Sequence, residues 1–457
     1  MPEAGGKEPL ASSVSGERPG SSNNTELRGD AANNATQLNL ATVASQGADA
    51  NRTAQLDAVS GLAQPIAASG LPERGAARGP SQQSAASSAS QQSSAAAAGW
   101  LDAGDAGIRN RGKSGANGGD EGETGWRLRS GAGDHDQEPG EAVLVVAGTH
   151  GNERNGVRLL RQWHRQPELL HHAGLEVVLC TGNPAAVEAG RRYLERDLNR
   201  SFQAALLQDP LNQQHEVQRA RALLAAWGPA GSHPCPVVLD LHSTTAVMGN
   251  SLVVYGRRPA DLALAAGLQG RLGLPVYLHE NDPHQSGYLV ERWPCGLVIE
   301  VGPVPQGVIN PRIGQQTQLA LEAALGLLAE AQRGPVRLPR TLVVHRHLRS
   351  LDLPRHRNGE PSAWVHPQRQ DRDWQPLHPG DPLFWSETQG AIGWEPRAGD
   401  PEIVWPLFIN EAAYEEKGIA LSLSQRDEWP VDPAWGTALE QVAQRLHRQP
   451  PLVTPTE

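Results

Sequence analysis

A short apolar run that leads into a polar, glycine-flanked turn constrains this chain more than any other feature. Residues 143–146 read VLVV, and residues 148–153 read GTHGNE. An apolar run of this length, bounded by a turn, is typical of a buried strand. Open α/β sheets bind their ligands at the carboxyl ends of the strands. We therefore predict an α/β fold in which His150 and Glu153 lie at the ligand-binding edge of the sheet.

Two later apolar runs end in a similar way. Residues 237–241 (VVLDL) are followed by His242, and residues 297–299 (LVI) are followed by Glu300. Because each run predicts a buried strand, the three strand ends should meet at one edge of the sheet. The sequence thus predicts a single site assembled from residues that lie far apart along the chain.

The polar residues of this predicted site are suited to bind zinc. His150, Glu153 and His242 would form a His₂Glu set, which in catalytic zinc sites leaves one coordination position for water. Bound zinc lowers the pKa of such a water, and Glu300 is the candidate for the general base that takes the proton. For Asp240 two roles stay open: it either orients a metal ligand or accepts hydrogen bonds from turn amides.

Composition divides the chain into four parts. Residues 1–138 are dominated by Ala, Ser, Gly, Gln and Asn, and such a segment cannot bury enough apolar surface to fold, so we predict a disordered arm. In residues 139–335, strand patterns alternate with helix patterns, which predicts a sheet flanked by helices. Residues 336–431 contain short strands between Gly/Pro-rich turns and predict a smaller β-rich domain. Residues 432–457 are interpreted as a tail with a short helix near 437–445.

Charge and cysteine content narrow the partners and the compartment. The formal net charge of −10 disfavours nonspecific nucleic-acid binding, which needs a basic surface. No apolar stretch approaches the roughly 18 residues of a membrane span, and the amino terminus lacks the pattern of a secretory signal. Cys180, Cys235 and Cys295 show no CxxC spacing and are too few for a disulfide framework. We expect a cytoplasmic protein without nucleic-acid or membrane partners, and a homo-oligomer stays open.

Residues 191–200 (RRYLERDLNR) are dense in arginine. Arginine pairs bidentately with carboxylates and keeps its charge, so the segment favours a small anionic substrate. A solvated run of charges is the alternative interpretation of this segment.

Taken together, these strings resemble the aspartoacylase family, within the wider zinc carboxypeptidase-like group that also holds succinylglutamate desuccinylases. In chain order the matching strings are GTHGNE (148–153), RY (192–193), DLNR (197–200), DLH (240–242), TT (244–245), MG (248–249), EVGP (300–303), PQGV (305–308) and FINEAAY (408–414). The resemblance spans about residues 141–417 and implies a mixed sheet flanked by helices, with a smaller β-rich C-terminal domain. It says nothing about residues 1–138.

The resemblance implies a zinc-dependent amidohydrolase that cleaves N-acetyl-L-aspartate to acetate and L-aspartate by metal-activated water. One Zn²⁺ per subunit would be held by His150, Glu153 and His242. Glu300 would be the general base and would then protonate the leaving amine. Arg192 would polarise the scissile carbonyl and stabilise the oxyanion.

The resemblance also implies the substrate contacts. Asn199 and Arg200 would bind a substrate carboxylate, and Tyr414 would reach the substrate from the second domain. Lys417 falls where the family places another carboxylate-binding lysine, and it is the only lysine after residue 138. A plain surface lysine is the alternative for Lys417.

The chain also departs from the family pattern. Ser243 stands after the last zinc ligand, where the family often has Asn, and this change would alter a contact of that ligand without removing the metal. For the family's arginine upstream of the catalytic Glu, Arg292 is the candidate and Tyr288 the alternative. The nearest rival function is the same chemistry on an N-acetyl aromatic amino acid or N-succinylglutamate. A non-catalytic zinc-binding protein is the rival from a different class.

Overall fold

The computed structural model describes residues 125–128, 141–280, 282 and 285–446. The strands are β1 (Trp126–Leu128), β2 (Val143–Ala147), β3 (Val177–Thr181), β4 (Val237–Ser243), β5 (Gly249–Tyr255), β6 (Val276–His279), β7 (Cys295–Gly302), β8 (Thr341–Leu351), β9 (Trp364–Val365), β10 (Pro382–Ser386), β11 (Gly390–Gly393), β12 (Trp405–Leu407) and β13 (Leu421–Pro430).

The helices are α1 (Arg154–Arg165), α2 (Pro184–Ala189), α3 (Ala204–Gln208), α4 (His215–Trp227), α5 (Pro259–Leu272), α6 (Pro311–Arg333) and α7 (Pro433–Ala443). Short 3-10 helices span Pro167–Leu169, Leu198–Arg200, Leu289–Arg292 and Ala412–Lys417. Within the described ranges, none of the helices combines the length and the apolar character that crossing a membrane requires.

Ten strands form one mixed sheet in the order β1-β3-β2-β4-β7-β5-β6-β8-β13-β12. Strands β3, β2, β4 and β7 run parallel, whereas β5 is antiparallel to β7. The structure therefore confirms the predicted mixed α/β sheet flanked by helices. A separate three-stranded sheet, β11-β10-β9, belongs to the predicted β-rich domain.

Helices cover both faces of the large sheet, and β2 shows why its sequence is apolar throughout. Val143 and Val145 pack into a core with α1, α5, α6 and α7, whereas Leu144 and Val146 pack into a second core on the α4 side. Successive side chains of a strand point to opposite faces, so a strand buried on both faces needs a continuous apolar run. This burial holds the turn after β2 at a fixed place.

The predicted arm, residues 1–138, lies outside the described residues except at 125–128. There β1 pairs antiparallel with β3, and the Trp126 ring stacks on His164 at 4.3 Å between ring centroids. The prediction of disorder was therefore wrong for these few residues. A strand of three residues gains its stability from pairing with the sheet, and composition does not reveal such pairing.

The predicted tail is also more integrated than we expected. Helix α7 packs against α5 and α6, and its Leu439 and Ala443 belong to the larger core. The large sheet likewise continues through β8, β13 and β12, which lie in the range 336–431. Residues 139–335, 336–431 and 432–446 therefore all contribute to the larger core, and the first two ranges also share the large sheet.

Replacing Leu439 with alanine should lower the free energy of unfolding by about 2–4 kcal/mol, since truncating a buried leucine removes apolar burial and leaves a cavity. Leu439 is 0% exposed. Urea denaturation measures the change, and Gln441→Ala, on the exposed side of the same helix, is the matched control. A cost below 0.5 kcal/mol for Leu439→Ala would show that α7 is not part of the core.

Candidate functional site

The three predicted strand ends meet at one edge of the large sheet. His150 and Glu153 lie in the turn between β2 and α1, His242 lies on β4, and Glu300 lies on β7. His242 and Glu300 are paired in the parallel register of these two neighbouring strands. The topology therefore brings together all four residues.

Glycines shape the turn that holds the first two residues. Gly148 has a φ of +70°, a left-handed conformation that side chains disfavour. At Gly151 an added β-carbon would lie 2.1 Å from the carbonyl carbon of Ala186. Only glycine allows the turn to approach the backbone of α2 this closely, and this approach positions the turn that carries His150 and Glu153.

His150, Glu153 and His242 form a compact, buried group of possible metal ligands. Nδ1 of His150 lies 2.6 Å from Oε1 of Glu153, and Nδ1 of His242 lies 3.1 Å from Oε2. One ligand atom from each residue falls within 4.8 Å of the others. The backbone N–H of Ser243 donates to Glu153 Oε2 at 2.9 Å. Ser243 makes this contact with its backbone, so the contact would be the same with the Asn that the family often has at this position.

The second ring nitrogen of each histidine faces another carboxylate. Nε2 of His150 lies 3.1 Å from Oδ1 of Asp197, and Nε2 of His242 lies 2.8 Å from Oδ2 of Asp240. The Thr149 hydroxyl donates to Oδ1 of Asp240 at 2.8 Å. Of the two roles that the sequence left open for Asp240, the structure favours orienting His242. Such carboxylate partners fix the rings of metal-binding histidines.

The carboxylates around His150 and His242 favour positive charge at the place where these side chains meet. Burial lowers the pKa of His242, but Asp240 and Glu153 outweigh it and hold that pKa well above its usual range. Burial raises the pKa of Glu153, but His150 and His242 bring it far below the usual value. A divalent cation among these ligands would meet the same field that favours the proton on His242.

Arg192 and Lys417 extend this network through Asp197. The guanidinium of Arg192 lies 3.4 Å from Glu153 Oε1 and 3.5 Å from Asp197 Oδ2. Nζ of Lys417 lies 3.4 Å from Asp197 Oδ2. Burial raises the pKa of Asp197, but His150 and Arg192 lower it well below its usual range. Asp197 therefore stays ionised beside both positive side chains.

A pocket of about 410 Å³, part of it open to solvent, lies over these residues. It is lined by His150, Glu153, Arg192, Asn199, Arg200, His242, Ser243, Thr244, Tyr255, Val298, Glu300, Phe408, Glu411, Ala413 and Tyr414. Burial raises the pKa of Glu300 well above its usual value, and although His242 opposes this effect, Glu153 and Glu411 add to it. The pocket thus combines a carboxyl group of high proton affinity with the possible metal ligands.

Asn199 and Arg200 also line the pocket, and both are held by the chain around them. Oδ1 of Asn199 accepts the backbone N–H of Leu289 at 2.8 Å. The guanidinium of Arg200 lies 4.2 Å from the ring centroid of Tyr288 and donates to Gln285 Oε1 at 2.8 Å. These contacts fix the direction of the Arg200 side chain.

Arg292 requires a correction. It is exposed and does not line the pocket, because the 3-10 helix Leu289–Arg292 turns Leu289 and Val290 inward and leaves Arg292 at the surface. Tyr288, the alternative, is buried beneath the guanidinium of Arg200. Of the two residues, Tyr288 is the one that reaches the surroundings of the site.

Glu411 also lines the pocket, although no local sequence pattern predicts a role for it. Its Oε2 accepts the backbone N–H groups of Thr245 at 2.8 Å and Ala246 at 3.2 Å, as well as the hydroxyl groups of Thr244 and Thr245. Its Oε1 accepts the N–H of Ala413 at 3.0 Å. Glu411 thereby joins the loop after β4 to the segment that carries Tyr414. The strings TT and NEAAY were the signal for this contact.

Comparison with known proteins agrees with this geometry. Residues 139–328 match the succinylglutamate desuccinylase/aspartoacylase catalytic domain, and residues 340–426 match the AstE/AspA barrel-sandwich hybrid domain. Murine aminoacylase 3 is a similar solved structure, with a TM-score of 0.58 and 35% identity, covering 65% of this chain and 98% of that one.

Curated relatives give the same result. A probable aspartoacylase of Parasynechococcus marenigrum (strain WH8102) is 59% identical over 300 residues, which are 66% of this chain and 98% of the relative. A probable aspartoacylase of Prochlorococcus marinus (strain MIT 9313) is 55% identical over 303 residues, again 66% and 98%. As the motifs predicted, the chain belongs to the succinylglutamate desuccinylase/aspartoacylase family of hydrolases.

Proposed function

We propose that this chain hydrolyses N-acetyl-L-aspartate to acetate and L-aspartate, with one zinc ion per subunit held at the active site by His150, Glu153 and His242. One observation carries the proposal: a His₂Glu set, a carboxyl group of raised pKa and two arginines line the same pocket. The His₂Glu set can hold a catalytic zinc ion, and the carboxyl group can transfer a proton. The two arginines can bind an anionic substrate.

The donor set fits zinc by its chemistry. Two imidazole nitrogens and one carboxylate are a known catalytic set, and Asp197 and Asp240 hold the other ring nitrogens of the two histidines. When bound, zinc would lower the pKa of a coordinated water and polarise the acyl carbonyl.

Glu300 would act first as a general base and then as a general acid. As the water oxygen bonds to the acyl carbon, the Glu300 carboxylate takes the water proton. As the amide C–N bond breaks, Glu300 passes this proton to the leaving amine nitrogen. A carboxyl group whose pKa is raised by burial suits both steps, because a catalytic group works best with a pKa near the working pH.

Arg192 would stabilise the negative charge that develops on the acyl oxygen. Its guanidinium lies within 3.5 Å of both Glu153 and Asp197, so its position is set before the substrate arrives. A positive group that needs no reorganisation during the reaction stabilises a transition state most effectively.

The substrate carboxylates would be bound by Asn199, Arg200, Tyr414 and Lys417. The first three line the pocket, and Nζ of Lys417 lies 3.4 Å from Asp197 Oδ2 and 5.6 Å from the ring centroid of Tyr414. Tyr414 and Lys417 belong to the 3-10 helix Ala412–Lys417 of the C-terminal domain. Two cationic side chains in addition to Arg192 favour a substrate with two carboxylates over one with a single carboxylate.

A comparison of rates tests the substrate. We expect kcat/KM to be highest for N-acetylaspartate when it is measured beside N-acetyltyrosine and N-succinylglutamate on one enzyme preparation. A higher kcat/KM for either of the other two compounds would reassign the substrate while leaving the zinc chemistry in place. Binding of zinc without hydrolysis of any of the three would instead indicate a non-catalytic zinc protein.

Lys417 predicts a pH dependence of substrate capture. Burial, with Arg200 nearby, lowers the pKa of Lys417 to about 8, and Asp197 offsets this only in part. Lys417 is therefore charged below pH 8 and neutral above it. We expect kcat/KM for N-acetylaspartate to fall as the pH rises through about 8, because this quantity reports the free enzyme.

Two variants test this assignment. Lys417→Met should have a lower kcat/KM at pH 7 and should lose the fall near pH 8, whereas Lys417→Arg should keep its charge and shift the fall to higher pH. An unchanged pH profile in Lys417→Met would assign the fall to another group and return Lys417 to a surface role.

A cytoplasmic location is part of the same proposal. Cys180, Cys235 and Cys295 are free and buried, and burial raises the pKa of the Cys235 thiol to about 12. Unpaired thiols suit a reducing compartment.

The domain limits at residues 138, 335 and 431 also remain proposals.

A further inference from the structure

A second cluster of metal-binding side chains lies outside the proposed active site. His279 ends β6, Asp282 follows it, and His347 lies on β8. One ligand atom from each lies within 4.8 Å of the other two. At most 13% of any of these side chains is exposed.

We propose that His279, Asp282 and His347 bind a second divalent transition-metal ion, separate from the ion of the proposed active site. Two imidazoles and one carboxylate are suited to zinc and to related metals that prefer nitrogen ligands. We call this cluster the β6–β8 site.

The spacing within the β6–β8 site suits coordination better than hydrogen bonding. Oδ2 of Asp282 lies 3.8 Å from Nε2 of His279 and 3.6 Å from Nε2 of His347. Both distances exceed the usual N–H···O range of about 2.7–3.2 Å. Two ligands that are each about 2.0–2.1 Å from one tetrahedral zinc ion lie roughly 3.4 Å apart. Small movements of these side chains would therefore complete the coordination.

A buried ring nitrogen without a partner points to the same conclusion. Nε2 of His279 is buried and accepts or donates no hydrogen bond within the described part of the chain. Buried polar atoms are usually paired, and a missing ion is one explanation for an unpaired one, here a ring nitrogen beside a carboxylate. His279 is 7% exposed, and its free nitrogen faces the Asp282 carboxylate. A metal ion at the β6–β8 site would satisfy this nitrogen.

Two tyrosines hold the opposite ring nitrogens. The Tyr277 hydroxyl lies 2.7 Å from Nδ1 of His347, and the Tyr288 hydroxyl lies 3.5 Å from Nδ1 of His279. If each Nδ1–H donates to its tyrosine oxygen, each Nε2 presents a lone pair toward Asp282. A partner on the other ring nitrogen is the arrangement that orients metal-binding histidines.

The two histidine rings also stack on each other, with ring centroids 4.7 Å apart. Their Nε2 atoms lie 3.8 Å and 3.6 Å from the same oxygen, Oδ2 of Asp282. The two rings therefore approach the carboxylate side by side.

The position of the β6–β8 site gives the ion a structural role. His279 lies in the range that matches the catalytic domain, and His347 lies in the range that matches the hybrid domain. The ion would thus link β6 to β8 where the two ranges join in one sheet. Gln285 adds a connection to the active site, since its side chain bonds both Asp282 and Arg200.

Metal stoichiometry tests this inference without any activity measurement. The full chain is loaded with Zn²⁺, dialysed into metal-free buffer, and analysed for zinc per chain. We expect two zinc ions in the wild type, one in His347→Ala, one in Asp282→Ala, and none in the double variant His242→Ala/His347→Ala. Circular dichroism checks that each variant is folded, and Asp282→Ala lies outside the sheet, so it should fold even if His347→Ala does not.

His345→Ala is the matched control. His345 is a buried histidine on the same strand, its ring contacts Trp374 and Trp405, and it belongs to neither cluster of possible metal ligands in the described residues. It should retain two zinc ions. A wild type that holds one zinc, lost in His242→Ala, would overturn the second site and leave the proposed active site intact. Two ions retained in both Asp282→Ala and His347→Ala would also overturn it. One ion that survives His242→Ala but not His347→Ala would support the β6–β8 site and refute the active-site metal.

Discussion

Replacing His242 with alanine will remove the active-site zinc ion and lower the hydrolysis of N-acetylaspartate by about 10³-fold or more, while the protein stays folded. The variant keeps His150 and Glu153, but two ligands do not complete a catalytic zinc site. A metal that polarises a carbonyl and activates water contributes several kcal/mol to the transition state, and each 1.4 kcal/mol is a factor of ten in rate. Elemental analysis and acetate release measure the two losses.

His233→Ala is the control for this experiment. His233 is exposed shortly before β4, so the same substitution there should leave zinc content and rate unchanged. If His242→Ala lost the active-site zinc ion but hydrolysed N-acetylaspartate at the wild-type rate, that ion would be structural and the reaction would proceed without it.

Replacing Glu300 with glutamine should lower kcat by about 10³-fold while zinc content and KM stay close to those of the wild type. Glutamine has nearly the same shape as glutamate but cannot take a proton from water, and general base catalysis typically contributes about 10²–10⁴-fold. Glu300 belongs to none of the clusters of possible metal ligands in the described residues, so the ion should remain bound. Steady-state kinetics and zinc analysis on one preparation separate the two effects.

Glu188→Gln makes the same change of charge at an exposed residue of α2 and should have no effect on kcat. A Glu300→Gln variant with a kcat near that of the wild type would show that another group takes the proton. Loss of zinc in this variant would assign Glu300 to metal binding.

The meeting of the strand ends could be predicted from the sequence because it depends on local patterns. Each apolar run specified a buried strand, and the parallel neighbours β2, β4 and β7 place their carboxyl ends at one edge. The positions of His150, His242 and Glu300 follow because each residue comes directly or shortly after one of these apolar runs. The fold class could be predicted for the same reason, since strand and helix periods alternate visibly between residues 139 and 335.

Contacts between distant segments could not be predicted in this way. Asp197 faces His150, Arg192 and Lys417 at once, although a pattern of charges suggests only an arginine-rich segment. Glu411 bonds to the loop after β4 across more than 160 residues. Such contacts depend on how the C-terminal domain folds back on the sheet, which no local period encodes.

The same limit explains the corrections in the fold and in the site. The family's arginine upstream of the catalytic Glu made Arg292 a candidate, but the 3-10 helix before β7 decides which side chains face inward, and it exposes Arg292. The apolar pattern of α7 can be recognised in the sequence, whereas its packing on α5 and α6 depends on the tertiary structure. The β6–β8 site likewise joins the end of β6 and the residue Asp282 shortly after it to His347 on the distant strand β8, so no short sequence motif predicts it.

Acetate release followed together with zinc content during chelation tests the central claim most directly. One preparation of the full chain is treated with a chelator, sampled over time, and finally supplied again with Zn²⁺. We predict that the rate of N-acetylaspartate hydrolysis falls as zinc is lost and returns when zinc is restored. The His242→Ala variant should gain no activity when Zn²⁺ is added. Full activity in protein that exhaustive chelation has freed of metal would contradict the account.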